Sequence, residues 1–370
     1  MKPTLLDRAF QLLDDVRSPQ DFTLILHFSK PLDAERLAAG AKSASECYHT
    51  EVSTEPQIEI QQFVNERLDC PIKQMLNGAT LATRFHHAAA DGLSAALWLG
   101  HQLSVVYGLT PPANATELSL RRQEHSVRRS EFAYDGACDP LWTVSSARSG
   151  TRRWVTFSFL SGELQQACRR IGGFTYSDLL ATCALETLRE WNQQHNGESR
   201  VGLWLPMNIR RESYAGFGNG TSRVRLYARY PVSATLVDKA REVRRQLSWS
   251  TTHGEWVVPE LPLLTRAPGW ITAPLLRAYL NRPSIDMATG VFSHADRWAG
   301  TARQAFAELE HIECVGLLHT RQNIAINGAT HRGQTWMTFT YDTGLLRASD
   351  AAQLARIYRR QIDEFLCAAC

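Results

Sequence analysis

Leu81-Ala-Thr-Arg-Phe-His86-His87-Ala-Ala-Ala-Asp91-Gly92 decides how this chain is read. Residues 80–87 read as a strand, and after three alanines a helical pattern opens at Asp91 and runs to residue 106, with Leu93, Ala96, Leu97, Gly100 and Leu103 along one stripe. Side chains alternate across a strand, so His86 and His87 point to opposite sides and only one of them addresses a given cavity. An imidazole with an ordinary pKa of about 6.5 is largely neutral near pH 7 and accepts a proton from an attacking alcohol or amine. The alanines let the turn pack closely. Asp91 is placed to hold the loop by accepting backbone N–H bonds or pairing with an arginine, and Gly92 admits a conformation closed to other residues. A His-His pair in a strand is more often structural than functional. Two histidines and an aspartate also suggest metal ligands, but adjacent strand histidines diverge, so no metal site is expected.

Upstream of this stretch, residues 22–28 alternate as a strand, Asp33 is a helix N-cap ahead of Leu37, Ala41 and Ala44, and residues 57–64 read as another strand. Downstream, periodicity is lost from residue 110 to about 153, where Pro, Ser, Asn, Gly and charge dominate. The pattern restarts with a strand at 154–160 and a short helix capped by Ser161. Thr175-Tyr-Ser-Asp178 is a capping box ahead of a helix ending near Trp191. Strands follow at 200–205, 223–229, 289–294, 311–318, 322–327 and 335–341, and an amphipathic helix over 350–366 turns Leu354, Ile357, Tyr358, Ile362 and Phe365 inward. Residues 256–283 hold five prolines among many Leu, Trp and Tyr residues. That is too broken for a membrane helix and too apolar for a solvent loop, so the segment is expected to cover something.

The division that results is an α/β first lobe over residues 1–125, a connection over 126–153 and a second lobe over 154–370. Forty Lys plus Arg against 37 Asp plus Glu give a net charge of +3, too little at this length to make nucleic acid the default partner. Arg121, Arg122, Arg128, Arg129, Arg148, Arg152 and Arg153 do bunch. They read as a solvated surface, or as a docking patch for an anionic partner. No secretory h-region and no run of about eighteen apolar residues occurs, so the expectation is a cytoplasmic protein without a membrane span. The eight cysteines show no spacing of a zinc or redox centre. Cys367-Ala-Ala-Cys370 fits a prenylation box only superficially, and Asn114-Ala-Thr and Asn219-Gly-Thr match the glycosylation pattern without a secretory context to use it.

His86-His87-Ala-Ala-Ala-Asp91-Gly92 resembles the H-H-x-x-x-D-G motif of the chloramphenicol acetyltransferase-like superfamily, which includes condensation domains, wax ester synthases and polyketide-associated acyltransferases. Trp204-Leu-Pro-Met-Asn208-Ile-Arg210, followed by Gly218-Asn219, resembles the P-V-N-x-R … G-N stretch of the second lobe, and the helix after Thr175 and the Phe292-Ser293-His294 strand also have counterparts in the expected order. The resemblance implies an α+β sandwich fold in which two acetyltransferase-like lobes form a V-shaped pseudo-dimer around a central tunnel. It implies that His87 is the general base, that His86 and Asp91 shape the catalytic site, and that Gly92, Ser293 and Asn219 meet substrate, with Ser293 donating to the oxyanion. Asn208 and Arg210 are structural at the lobe junction. The resemblance further implies a CoA or phosphopantetheine thioester as donor, so that no permanently bound cofactor is needed, and a hydroxyl compound as acceptor. An amine acceptor, or a non-catalytic member that only docks a carrier protein, are the alternatives. A monomer whose partners are a small-molecule acceptor and an acyl or peptidyl carrier protein is expected. The D-F-G-W-G box of plant relatives is absent, and the chain is shorter than a typical condensation domain.

Overall fold

Alternating apolar residues at 22–28 become β1 (Asp21–Phe28), and the strand ahead of the histidines becomes β4 (Thr80–His86), its antiparallel neighbour, with Asp21 opposite His86 and His27 opposite Thr80. The computed structural model describes residues 5–14, 19–55, 57–112, 118–120, 130–197, 199–211, 216–255, 268–280, 288–296, 300–318 and 322–369. A five-stranded sheet has the order β2-β3-β4-β1-β9, with β2 (Val52–Thr54), β3 (Ile72–Asn77) and β9 (Leu309–Val315). A six-stranded sheet has the order β5-β11-β10-β8-β6-β7, built from β5 (Arg152–Leu160), β6 (Gly202–Asn208), β7 (Thr221–Tyr227), β8 (Gly290–Ala295), β10 (Ile324–His331) and β11 (Gln334–Asp342).

One face of the first sheet is covered by α2 (Ala34–Tyr48) and α4 (Gly92–Val106), which bury Leu24, Leu26, Phe28, Leu37, Phe85, Leu99 and Leu103 together. The two helices approach closely at Gly40, where an added Cβ would lie 2.5 Å from the Gln102 carbonyl oxygen. Only the absence of a side chain permits that contact. The second sheet packs against α5 (Gly162–Ile171), α6 (Tyr176–Asn196) and α9 (Ala348–Ala369), joining Leu164, Leu185, Leu188, Phe292, Ile326, Phe339, Tyr358 and Ile362 in one core. The Thr175 capping box forms in full, each residue bonding the other's backbone N–H. Besides these, α7 (Leu236–Thr252) lies beside α6, α8 (Gly269–Leu280) packs on α1 (Leu5–Leu13), and a 3-10 turn spans Gly300–Phe306.

Three local expectations change. Residues 57–64 do not form a strand: α3 (Ile60–Asn65) is a short helix that drops Phe63 and Val64 into a small core with Ile25, Met75, Ala82 and Val315. The strand that does precede β4 is β3, hidden from a polarity pattern because Lys73 and Gln74 sit inside it. Both are buried and partnered, Lys73 by Glu55 at 2.8 Å and Gln74 by Thr83 and Gln102. Ser161 precedes α5 but makes no side-chain cap, and its hydroxyl is buried without a hydrogen bond among the described residues. Finally β9, drawn from a stretch read as second lobe, completes the first sheet beside β1, so the chain crosses between lobes late in the sequence.

The basic bunch is also reassigned where it is described. Arg152 is buried against Asp21, and Arg148 donates to the Leu318 and Gln322 carbonyls, so neither guanidinium serves a docking surface. Arg153 is exposed, while Arg121, Arg122, Arg128 and Arg129 lie outside the described residues, as does Asn114. Asn219 is buried and offers no glycosylation site. Among the described residues, no helix is long and apolar enough to cross a membrane.

Candidate functional site

The two histidines stand where β4 gives way to the turn. The His87 N–H donates to the Gln20 carbonyl at 2.9 Å, extending the β1 pairing by one step, and the Ala89 and Ala90 N–H groups close the turn on the His86 carbonyl. The rings part as strand alternation requires. His86 faces Asp14, with Nε2 3.7 Å from a carboxylate oxygen, and its Nδ1 accepts from the Ala88 N–H at 3.1 Å. Burial alone would raise the Asp14 carboxyl, but His86 and the Gln20 N–H, donating at 2.8 Å, outweigh it and hold it below its ordinary value.

His87 turns instead toward aromatic rings. Phe10 of α1 stacks on the imidazole with centroids 4.6 Å apart and planes 16° from parallel, and Phe22 of β1 tilts against it at 5.2 Å. The residue is half-buried. Loss of water around the charged form pushes its pKa down to about 4, against a smaller opposing pull from Asp91. Among the described residues its buried Nδ1 has no hydrogen bond of good geometry, and the residue's own backbone acts on the ring. With the proton on Nδ1, the lone pair of the neutral ring sits on Nε2.

Asp91 has a different task. Its side chain caps α4 through the Ser94 N–H at 2.9 Å and then reaches across to the second lobe. Arg210 grips it with two nitrogens at 2.7 and 2.9 Å, and the Gly220 N–H and Thr221 hydroxyl each add a bond at 2.8 Å. Ser94 Oγ joins the same knot, donating to the Gly218 carbonyl and accepting from Arg210 and the Gly218 N–H. Burial by itself would raise the Asp91 carboxyl, but the guanidinium and these donors keep it below the usual carboxylate range. Asp91 is therefore ionised with both oxygens occupied: it fixes the turn behind His87 and ties the lobes, and takes no proton.

The remaining residues singled out from the sequence fall around this knot or beyond it. Asn208 Oδ1 accepts from the Arg210 N–H at 3.0 Å. Asn219 Oδ1 accepts from the Thr221 N–H, while its buried Nδ2 lacks a partner among the described residues. Gly92 is the first residue of α4 and has no positive φ, so conformational freedom is not its reason; a Cβ placed there would meet nothing within 4 Å, which leaves open space beside the turn. Ser293 lies on β8, half-buried and in register with Asn327 of the parallel β10.

Several features escaped the sequence reading. Phe10 was invisible because α1 is far from the motif along the chain. Asp21, buried, holds two arginines, Arg84 of β4 at 2.9 Å and Arg152 of β5 at 3.0 Å. His294 sits between Ser177 Oγ at 2.8 Å and Thr330 Oγ1 at 2.9 Å, and burial pushes its pKa down to about 4. The apolar 256–283 segment, where described, is α8, whose Gly269 lies close to Leu12 of α1; it backs the helix that covers His87.

The fold is that of solved condensation domains and of a solved O-acetyltransferase. Among solved structures, the chain is similar to the condensation domain of the Monacolin K polyketide synthase MokA, with a TM-score of 0.68 and 11% identity over 99% of this chain and 96% of that one. It is similar to the polyketide synthase associated protein 5 from Mycobacterium tuberculosis (TM-score 0.60, 14% identity, 100% and 97% covered). It is likewise similar to the TRI3 trichothecene 15-O-acetyltransferase from Fusarium sporotrichioides (TM-score 0.61, 14% identity, 98% and 94% covered). No protein-family model and no curated protein matches the sequence.

Proposed function

We propose that this chain is an acyltransferase that moves an acyl group from a CoA or carrier-protein phosphopantetheine thioester to a hydroxyl acceptor, with His87 as general base. The observation that carries the reading is a neutral imidazole at the end of β4, backed by aromatic rings and fixed by an ionised Asp91 that ties both lobes together. As the acceptor oxygen bonds to the thioester carbonyl carbon, its proton passes to His87 Nε2. The tetrahedral oxyanion collapses, the C–S bond breaks, and the imidazolium returns the proton to the departing sulfur. A low pKa keeps the ring neutral through the physiological range but makes it a weak acceptor, so proton transfer has to accompany carbon–oxygen bond formation rather than precede it.

Donor and acceptor meet at His87 in a passage between the lobes, with the donor arm running through the open space beside Gly92. Ser293 and the unpartnered Asn219 Nδ2 are proposed substrate contacts, the first as oxyanion donor. The apolar segment behind α1 favours a large apolar acyl or acceptor group. The chemistry needs positioning, a base and charge stabilisation, all supplied by side chains.

The test is incubation of the protein with a panel of acyl-CoA and acyl-carrier thioesters and mixed hydroxyl and amine acceptors, following free thiol and the mass of the products. Acceptor-dependent thiol release with an ester product is the expected result. An amide product alone would move the acceptor to an amine, and carrier binding without turnover for any acceptor would leave only a docking role.

A further inference from the structure

His27 and His311 face each other across the antiparallel β1/β9 ladder, and Glu313, two residues further along β9, lies on the same face of the sheet. Their side chains converge. His27 Nε2 and His311 Nε2 stand 3.4 and 3.3 Å from one carboxylate oxygen of Glu313, and all three atoms fall within 4.8 Å of one another.

We propose that His27, His311 and Glu313 bind a divalent ion of the zinc class, which clamps β9 to β1. A tetrahedral ion with ligand bonds of about 2.0–2.1 Å separates its ligand atoms by roughly 3.3–3.4 Å, the spacing found along both edges to Glu313. Two imidazoles and one carboxylate suit zinc and its transition-metal neighbours, whereas calcium and magnesium demand oxygen shells. His27 is already oriented for this: its Nδ1 lies 3.1 Å from Thr80 Oγ1, and a proton donated there leaves the Nε2 lone pair aimed at the cluster. That Nε2 is buried and, among the described residues, makes no hydrogen bond of good geometry. The second carboxylate oxygen of Glu313 accepts from Trp154 Nε1 on β5, which links the same residue to the other sheet. Solvent fills the fourth position, since the three side chains are each between 19 and 35% exposed.

The site stands apart from His87. β1 meets the catalytic turn at Asp21, and the six residues from there to His27 span about 20 Å at 3.3 Å per residue. The ion is structural: it pins β9, which crosses from the C-terminal part of the chain into the first sheet. Adjacent histidines in the motif argued against a metal in the sequence, and those two do diverge. The new ligands come from opposite ends of the chain.

Chelator-treated full-length protein, dialysed against zinc, should take up one equivalent per chain, and one equivalent of cobalt should give the intense visible bands of a tetrahedral ion. At zinc a hundredfold above Kd the melting temperature should rise by about 3 °C for a chain of 370 residues. The His27→Gln/His311→Gln variant should lose the uptake, the cobalt spectrum and the thermal shift, while each single variant, both at half-exposed positions, should weaken binding at least tenfold with an unchanged circular dichroism spectrum. Wild-type protein that takes up no stoichiometric zinc, or variants that keep the uptake undiminished, would overturn the proposal.

Discussion

Replacing Asp91 with alanine removes the acceptor of five hydrogen bonds, from the Ser94 N–H, two Arg210 nitrogens, the Gly220 N–H and the Thr221 hydroxyl. Arg210, 1% exposed, then keeps its charge after losing both of its bonds to this carboxylate. Breaking one side of a buried pair of this kind costs about 3–5 kcal/mol, most of it the uncompensated charge. For 370 residues the unfolding entropy of about 2.1 cal/mol/K per residue converts that to a fall of roughly 4–6 °C in Tm. Urea denaturation of wild type, Asp91→Ala, Arg210→Met and the double variant measures it. Because the charge left behind is the main cost, the double variant should lose less stability than the two single losses added together. A loss below about 1 kcal/mol in Asp91→Ala, or strict additivity in the double variant, would refute the claim that this pair ties the lobes.

Acid should weaken the fold in a defined window. His87 and His294 both have pKa values pushed down to about 4 by burial, so between pH 6.5 and 4 the unfolded chain binds protons that the folded chain refuses. Their contribution is complete above about pH 6.5 and drains away as pH falls toward 4; the urea midpoint should drop across that range, and a His87→Gln/His294→Gln variant should flatten the slope. Phe10→Ala opens the stacked face of His87 to water, so the imidazole should titrate closer to 6.5 in an NMR pH series. A titration midpoint unmoved from about 4 would show that Phe10 does not desolvate the ring. The rate of acyl transfer in the wild type should stay level down to about pH 5 and fall with a midpoint near 4, whereas a midpoint near 6.5 would mean that the working base has an ordinary environment.

Strands with clean alternation, such as β1, β4 and β10, and helices with explicit start signals, such as α2 after Asp33 and α6 after its capping box, were legible because local chemistry and tertiary burial agree there. β3 and α3 were not, because Lys73 and Gln74 are buried by distant partners, and because six residues around Phe63 carry too little pattern to separate a helix from a strand. The motif located the His87 turn. It did not reveal what surrounds the ring: Phe10 arrives from the opposite end of the first lobe, and the partner of Asp91 is 119 positions away. The late crossing of β9 could not be read from the chain either, since its alternation looks like that of any other strand and nothing local names its neighbour.

The central claim is that the His87 imidazole takes the proton of the attacking group. A single-turnover experiment with the best thioester and acceptor, comparing wild type with His87→Ala of matched circular dichroism and melting temperature, tests it most directly. The account predicts that acyl transfer slows by about 10²–10⁴ while donor binding is retained. Equal rates in the two proteins would contradict it.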